Sequence, residues 1–354
     1  MEIGDAQRLW SAQPGWLNTA SYGLPPKPAW EALQSALSEW RCGQGSWEAW
    51  GESTERSRES FARLIGVRAD QVAVGATVSE LIGLVAACIP DRARVVVAEG
   101  DFTSLLFPWL VHADRGVEVR SVPVGRLADA VDRGTTVVAF SLVQSATGEI
   151  ADLDAVMHAA RAHDALVVVD ATQACGWLPV TAAAVDALAC GAYKWLMSPG
   201  GSAFLAVSDR LRDRLRPLHA GWYAGEDMHA SYYGLPLRLA RCARQFDTSP
   251  AWFSWIGTAP ALEVIEQIGI DRIHAHNVAL ANRFRAGLGL GDGHSAIVSA
   301  AIPGAEGKLA AAGIRAAARA GNLRVSFHVY STEDDVDTVL NALGALPRYG
   351  DISG

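Results

Sequence analysis

Ala165-Leu166-Val167-Val168-Val169-Asp170, running straight into Ala171-Thr172-Gln173, is the stretch on which the fold turns. Five apolar residues in a row, with no polar alternation, suit a strand covered on both faces, as in a parallel sheet flanked by helices. The acid that ends the run then stands where such sheets open their ligand crevice. Working outward, short β-branched runs of the same kind recur at 71–74, 94–98 (RVVVA), 135–141 (TTVVAFS), 185–189 and 202–207. Amphipathic stretches at 77–88 and 153–163 separate some of them. The alternation predicts an α/β fold with a mainly parallel sheet and helices on both faces.

Beyond residue 250 the pattern changes. Ile256, Ala259, Leu262 and Ile265 recur at helical spacing and predict one long helix over 252–268. A second helix over 273–288, short strands near 296–301 and 323–328, and a last helix over 332–343 follow. Ser331 and Thr332 open that last helix, with Asp334 and Asp335 in its first turn. The reading is a large domain over 17–255 and a small α+β domain over 256–354, completed by residues 1–16.

Composition narrows the function classes. Of 354 residues, 50% are hydrophobic and 19% charged, so a sizeable core can be buried. The net charge of -8 argues against nucleic acid or an anionic membrane as partner, since both reward clustered Lys and Arg. No run of about eighteen apolar residues suggests a membrane span, and MEIGDAQRLW does not read as a signal peptide. The five cysteines, Cys42, Cys88, Cys175, Cys190 and Cys242, form no C-x-x-C pair and read as reduced thiols in a cytoplasm. The dispersed histidines supply no metal site.

Three segments carry chemistry. Asp170, desolvated at a strand end, needs a cationic partner, and a protonated heterocycle nitrogen is one such partner; a helix cap would explain it equally well. Lys194 lies in Cys190-Gly191-Ala192-Tyr193-Lys194-Trp195, where apolar neighbours lower an amine's pKa and make it a better carbonyl nucleophile. A snorkelling lysine is the plainer alternative. Val74-Gly75-Ala76-Thr77-Val78-Ser79-Glu80 joins a strand to a helix whose first N–H groups can hold a phosphate. Thr77 with Glu80 also reads as an ordinary capping box.

In this order and spacing the segments resemble the class V aminotransferase family of fold-type I pyridoxal phosphate (PLP) enzymes, over about residues 17–343. The family includes cysteine desulfurases, kynureninase and isopenicillin N epimerase-like proteins. The resemblance implies that Lys194 holds PLP as a Schiff base and that Asp170 pairs with the pyridinium nitrogen. It places Gln173 near the cofactor's phenolic oxygen and puts Ala76, Thr77 and Tyr193 around the phosphate. Phe102, or Thr103 beside it, stacks on the ring, and Gln144 touches the rim. Ser249, with Thr248 as alternative, reaches the partner's phosphate in a homodimer with shared sites. Arg324 grips the substrate carboxylate, while Arg315 and Arg319 read as solvated helix positions.

The reaction this implies is aminotransferase-like, on an α-amino acid or amino acid-derived metabolite. A C–S lyase, an epimerase, a kynureninase-like hydrolase or a decarboxylating relative is the alternative. A persulfide-forming desulfurase is disfavoured, because all five cysteines precede Trp252. A nucleotide-binding protein would need a G-x-G-x-x-G turn that Gly75-Ala76-Thr77 does not supply. A non-catalytic protein on the same fold is the remaining class.

Overall fold

The computed structural model describes residues 1–345; positions 346–354 of the expected small domain lie outside them. Seven strands form the main sheet: β1 (Val72–Gly75), β2 (Arg94–Ala98), β3 (Glu118–Val122), β4 (Val137–Ser141), β5 (Leu166–Asp170), β6 (Ala187–Gly191) and β7 (Ala203–Val207). Their order is β1-β7-β6-β5-β4-β2-β3. The β2–β3, β2–β4, β4–β5 and β5–β6 pairs are parallel. Only β7 runs against its neighbours, β1 and β6.

The central strands lack polar alternation because both of their faces are core. Val167 and Val169 of β5 enter one cluster, and Leu166 and Val168 enter the other. The same split divides Val138 and Phe140 from Val137 and Ala139 in β4. Each fully buried side chain of this kind contributes about 1.5–3 kcal/mol.

The longer helices are α1 (Lys27–Arg41), α2 (Trp47–Leu64), α3 (Val78–Ala87), α4 (Thr103–Leu110), α5 (Leu153–His163), α6 (Trp252–Ile268), α7 (Ile270–Gly287), α8 (Ala305–Ala311) and α9 (Glu333–Leu343). A second sheet, antiparallel and in the order β8-β10-β9, holds β8 (Ile297–Ala300), β9 (Ala317–Arg319) and β10 (Asn322–Ser326). None of the described helices is long and apolar enough to cross a membrane.

The expected domain boundary falls inside a helix. A division at 255/256 would cut α6, yet Trp255, Leu262, Ile265 and Ile268 of that helix lie in the large core, against α1 and α2. The small core begins with Leu280 and Phe284 of α7 and adds Val325, Phe327 and Leu340. Ile273 of α7 and Ile297 of β8 nevertheless join the large cluster, so the two cores are in contact beyond α6. Residues 1–16 touch both: Ala6 and Trp10 enter the large core, while the N–H of Gly15 donates to Asp335 Oδ1 at 2.8 Å.

Two strands escape sequence reading, and both are edges. β3 (EVRSV) is half charged, as unpaired edges tend to be. β9 lies in an alanine-rich stretch that reads as helix, but pairing with β10 overrides that propensity. Arg319 consequently sits on a strand, and Arg315 in a segment bridged to Trp16.

Candidate active site

Strand ends deliver the chemical groups to one place. Asp170 closes β5, the chain after β6 carries Tyr193 and Lys194, Phe102 precedes α4, and Thr77 caps α3 between β1 and the helix. These residues, with Gln173, surround a cavity of about 280 Å³. A larger cavity of about 480 Å³ in the small unit is lined mainly by apolar atoms, and its charged members are Glu306 and Arg315.

Lys194 is 6% exposed. Its Nζ makes no hydrogen bond or ion pair among the described residues, and stands 5.2 Å from the Phe102 ring centroid and 5.5 Å from that of Tyr193. Burial lowers the amine to about 8; Asp170 pulls the other way and Arg324 adds to the lowering. The Lys194 loop is clamped by backbone contacts. Gly23 N donates to Tyr193 O at 2.9 Å, and Met197 N to Lys194 O at 3.0 Å. From the small unit, His328 Nε2 reaches Trp195 O at 3.0 Å while its Nδ1 meets Asn277 Nδ2 at 3.2 Å. Burial lowers His328 to about 3, so the ring is neutral, donating from Nε2 and accepting at Nδ1.

Asp170, 5% exposed, accepts from Thr172 N at 2.8 Å. Among the described residues no Lys or Arg nitrogen comes within ion-pair distance of it. Burial pushes its carboxyl up, the Thr172 contacts oppose this, and nearby Asp101 reinforces it. A buried carboxylate left without a cation at a cavity wall is costly unless something cationic enters.

The mouth of α3 forms another side. Thr77 Oγ1 accepts from Glu80 N at 3.2 Å, and Glu80 Oε2 accepts from Ala76 N at 2.9 Å. That leaves the N–H groups of Val78 and Ser79 without a protein acceptor among the described residues, pointing out of a helix N-terminus at the cavity.

Arg324, on β10, is 1% exposed, and its hydrogen-bond partners are all neutral. Nη1 donates to Ser145 O at 2.7 Å and Nη2 to Ser21 Oγ at 2.8 Å, while Nε is buried with no acceptor. Burial lowers this guanidinium to about 10, and Arg319 adds to the effect.

The remaining expected residues divide. Ala76, Thr77, Phe102, Gln173 and Tyr193 line the cavity, and Thr103 does not. Gln173 is fully engaged: Oε1 accepts from Trp195 Nε1 at 2.7 Å, and Nε2 donates to Ala20 O at 2.9 Å and Ser145 Oγ at 3.0 Å. Gln144 is not at the cavity. Its Nε2 donates to Gly100 O at 2.6 Å and its Oε1 takes the N–H groups of Ala146 and Thr147, so it shapes the loop. Ser249 is exposed and away from this chain's cavity. Just before it, Asp247 is buried against Arg58 at 2.6 Å and Val74 N at 2.8 Å, which ties the segment to β1.

Sequence reading passed over Ser145 and Asp101. Ser145 lines the cavity and touches both Gln173 and Arg324; its signal was a hydroxyl in the loop after a buried strand, one place from Gln144. Asp101 accepts from Ser141 N at 2.7 Å and Phe102 N at 2.8 Å, which sets the aromatic in place.

The family model described as aminotransferase class-V matches residues 43–302. The chain is 29% identical to an uncharacterized aminotransferase, YcbU, of Bacillus subtilis (strain 168), over 73% of this chain and 71% of that protein. It is 27% identical to a probable cysteine desulfurase of Pyrococcus abyssi, over 94% and 93%. Among solved structures, the apo cysteine desulfurase of Thermococcus onnurineus NA1 superposes with a TM-score of 0.84 at 23% identity, covering 97% of each chain, a likeness of fold.

Proposed function

Because this chain belongs to the class-V aminotransferase family, we propose that its cavity is the seat of pyridoxal 5′-phosphate in an enzyme acting on an α-amino acid or amino acid-derived metabolite, aminotransferase-like in its chemistry. One observation carries the proposal: a buried amine with a lowered pKa and a buried carboxylate face the same cavity, and among the described residues neither has a partner of opposite charge within ion-pair distance.

The residues suit that group. Lys194 Nζ would hold its aldehyde carbon, Asp170 its ring nitrogen, and Phe102 one ring face. Val78 N–H, Ser79 N–H and the hydroxyls of Thr77 and Ser79 would hold the phosphate. When bound, the cofactor supplies an electron sink next to the substrate's α-carbon.

The chain's own groups do the rest. Asp170 would stand against the ring nitrogen and favour its protonated form. Lys194 Nζ, buried and with its proton affinity lowered by that burial, would take and return the substrate's α-proton. Arg324 orients the substrate through its carboxylate, with Ser145 and Ser21 holding the guanidinium plane. None of the five cysteines lines the cavity, and Cys175 and Cys190 are buried, which favours transamination, epimerisation or lysis over transfer of sulfur to a cysteine of the enzyme.

A homodimer fits the surface. Phe107 and Leu110 of α4, and Val111 just after it, are exposed next to Phe102, and Ser249 is free to meet a second copy. Free thiols suit a reducing cytoplasm. The test is to load purified protein with PLP, confirm the yellow colour, and run an amino-acid panel scored for keto acid, sulfide, ammonia, carbon dioxide and racemised substrate. Keto acid is the expected product; a protein that stays colourless with excess PLP contradicts the proposal.

A further inference from the structure

Arg324 has a companion on its face of the small sheet. In the antiparallel pairing of β9 and β10, Asn322 lies opposite Arg319 and Arg324 opposite Ala317. Opposed residues project from the same face, as do alternate residues along one strand. Arg319, Asn322 and Arg324 therefore share the face on which Arg324 meets Ser145 at the cavity. The backbone step from one pair to the next is about 7 Å. Exposure rises along it, from buried Arg324 through half-buried Asn322 to exposed Arg319. Arg319 thus stands one step beyond Arg324 on that face, on its exposed side.

No carboxylate comes within ion-pair distance of Arg319 among the described residues, and its one hydrogen bond goes to the neighbouring Ala318 O at 2.7 Å. Its charge still reaches inward, adding to the lowering of both Arg324 and Lys194 after burial. A protein surface ordinarily intersperses such charges with acids. Here Arg324 and Arg319 share one face with no acid paired to either among the described residues.

We infer that Arg319 and Arg324 together select a dianionic substrate, an amino acid whose side chain carries a second anionic group. Arg324 takes the α-carboxylate and Arg319 the distal anion. The inference rests on the proposed function, since that reading places the α-carboxylate at Arg324. It adds the substrate class, acidic amino acids over their neutral isosteres, to the residue that reads it.

The test is equilibrium binding to the PLP-loaded protein of two unreactive acids, glutarate and butyrate, by calorimetry, alongside kcat/KM for glutamate and glutamine. Wild type is expected to bind glutarate about tenfold more tightly than butyrate, the worth of one hydrogen bond between charged groups. Arg319→Ala should erase that preference and leave butyrate affinity unchanged, with Arg319→Lys restoring much of it. Turnover should split the same way, glutamate losing and glutamine not. Equal affinities in wild type, or an Arg319→Ala loss shared equally by both acids, overturns the inference. If the protein takes up no PLP yet still separates glutarate from butyrate through Arg319, the two-anion site stands and the cofactor proposal fails. If it takes up PLP without that separation, the reverse holds.

Discussion

Replacing Gly23 with alanine should damage the active site from outside the cavity. A Cβ built there lies 2.0 Å from Lys194 O, 3.0 Å from Met197 Cα and 3.1 Å from Lys194 C. A comfortable carbon–oxygen contact is about 3.3 Å, so roughly 1.3 Å must be found between two backbones. The lysine loop cannot yield freely, because Met197 N holds Lys194 O and Ser202 O holds Ala192 N. Moving the N-terminal segment instead shifts Ser21, which holds Arg324 Nη2. Either route disturbs a group that the proposed function assigns to cofactor or substrate. Overpacking of this kind costs about 1–3 kcal/mol of stability, and a displacement near 1 Å in a reacting group costs about a hundredfold in rate. Calorimetric melting, PLP titration by absorbance, and kcat/KM on the best amino acid read the three effects. Gly83→Ala is the control, since its Cβ meets nothing within 4 Å and it lies inside α3; a neutral or slightly stabilising result is expected. Wild-type PLP affinity and turnover in Gly23→Ala would refute the clamp on Lys194.

Arg324→Ala should lower kcat/KM about ten- to a hundredfold for amino acids, through loss of a charge-assisted contact, while leaving an amine without a carboxylate unaffected; equal losses for both would assign the residue a structural role. Condensation of PLP with the apo-protein should speed up with rising pH and level off above about 8, because the unprotonated amine is the nucleophile and its pKa is lowered to about 8. In Arg324→Ala that midpoint should move upward, since a like charge has gone; stopped-flow absorbance would show either. Arg58→Ala leaves Asp247 buried without its cation and should cost about 3–5 kcal/mol in denaturant unfolding; a loss below 1 kcal/mol would mean that water reaches Asp247.

The large sheet was legible because its chemistry is local. Leu166–Asp170 reads as a doubly buried strand from five letters, and the apolar setting of Lys194 is written in its neighbours. Where a residue's role depends on register or distant packing, the sequence is mute. Gln144 and Ser145 are adjacent, and only the loop geometry decides that Ser145 faces the cavity while Gln144 turns to Gly100. Arg319 reads as helix because alanines surround it; pairing with β10 puts it beside Arg324. The place of α6 is hidden for a similar reason, as the helix is apolar enough for either unit and only its contacts with α1 and α2 assign it.

The chain has three lysines, Lys27, Lys194 and Lys308, and only Lys194 is buried. Incubating the protein with PLP, reducing with borohydride and mapping the pyridoxyl group by peptide mass spectrometry therefore gives an unambiguous answer. A single adduct on the peptide carrying Lys194, absent in Lys194→Ala, is the predicted result. An adduct confined to Lys27 or Lys308, or none with excess cofactor, would contradict it.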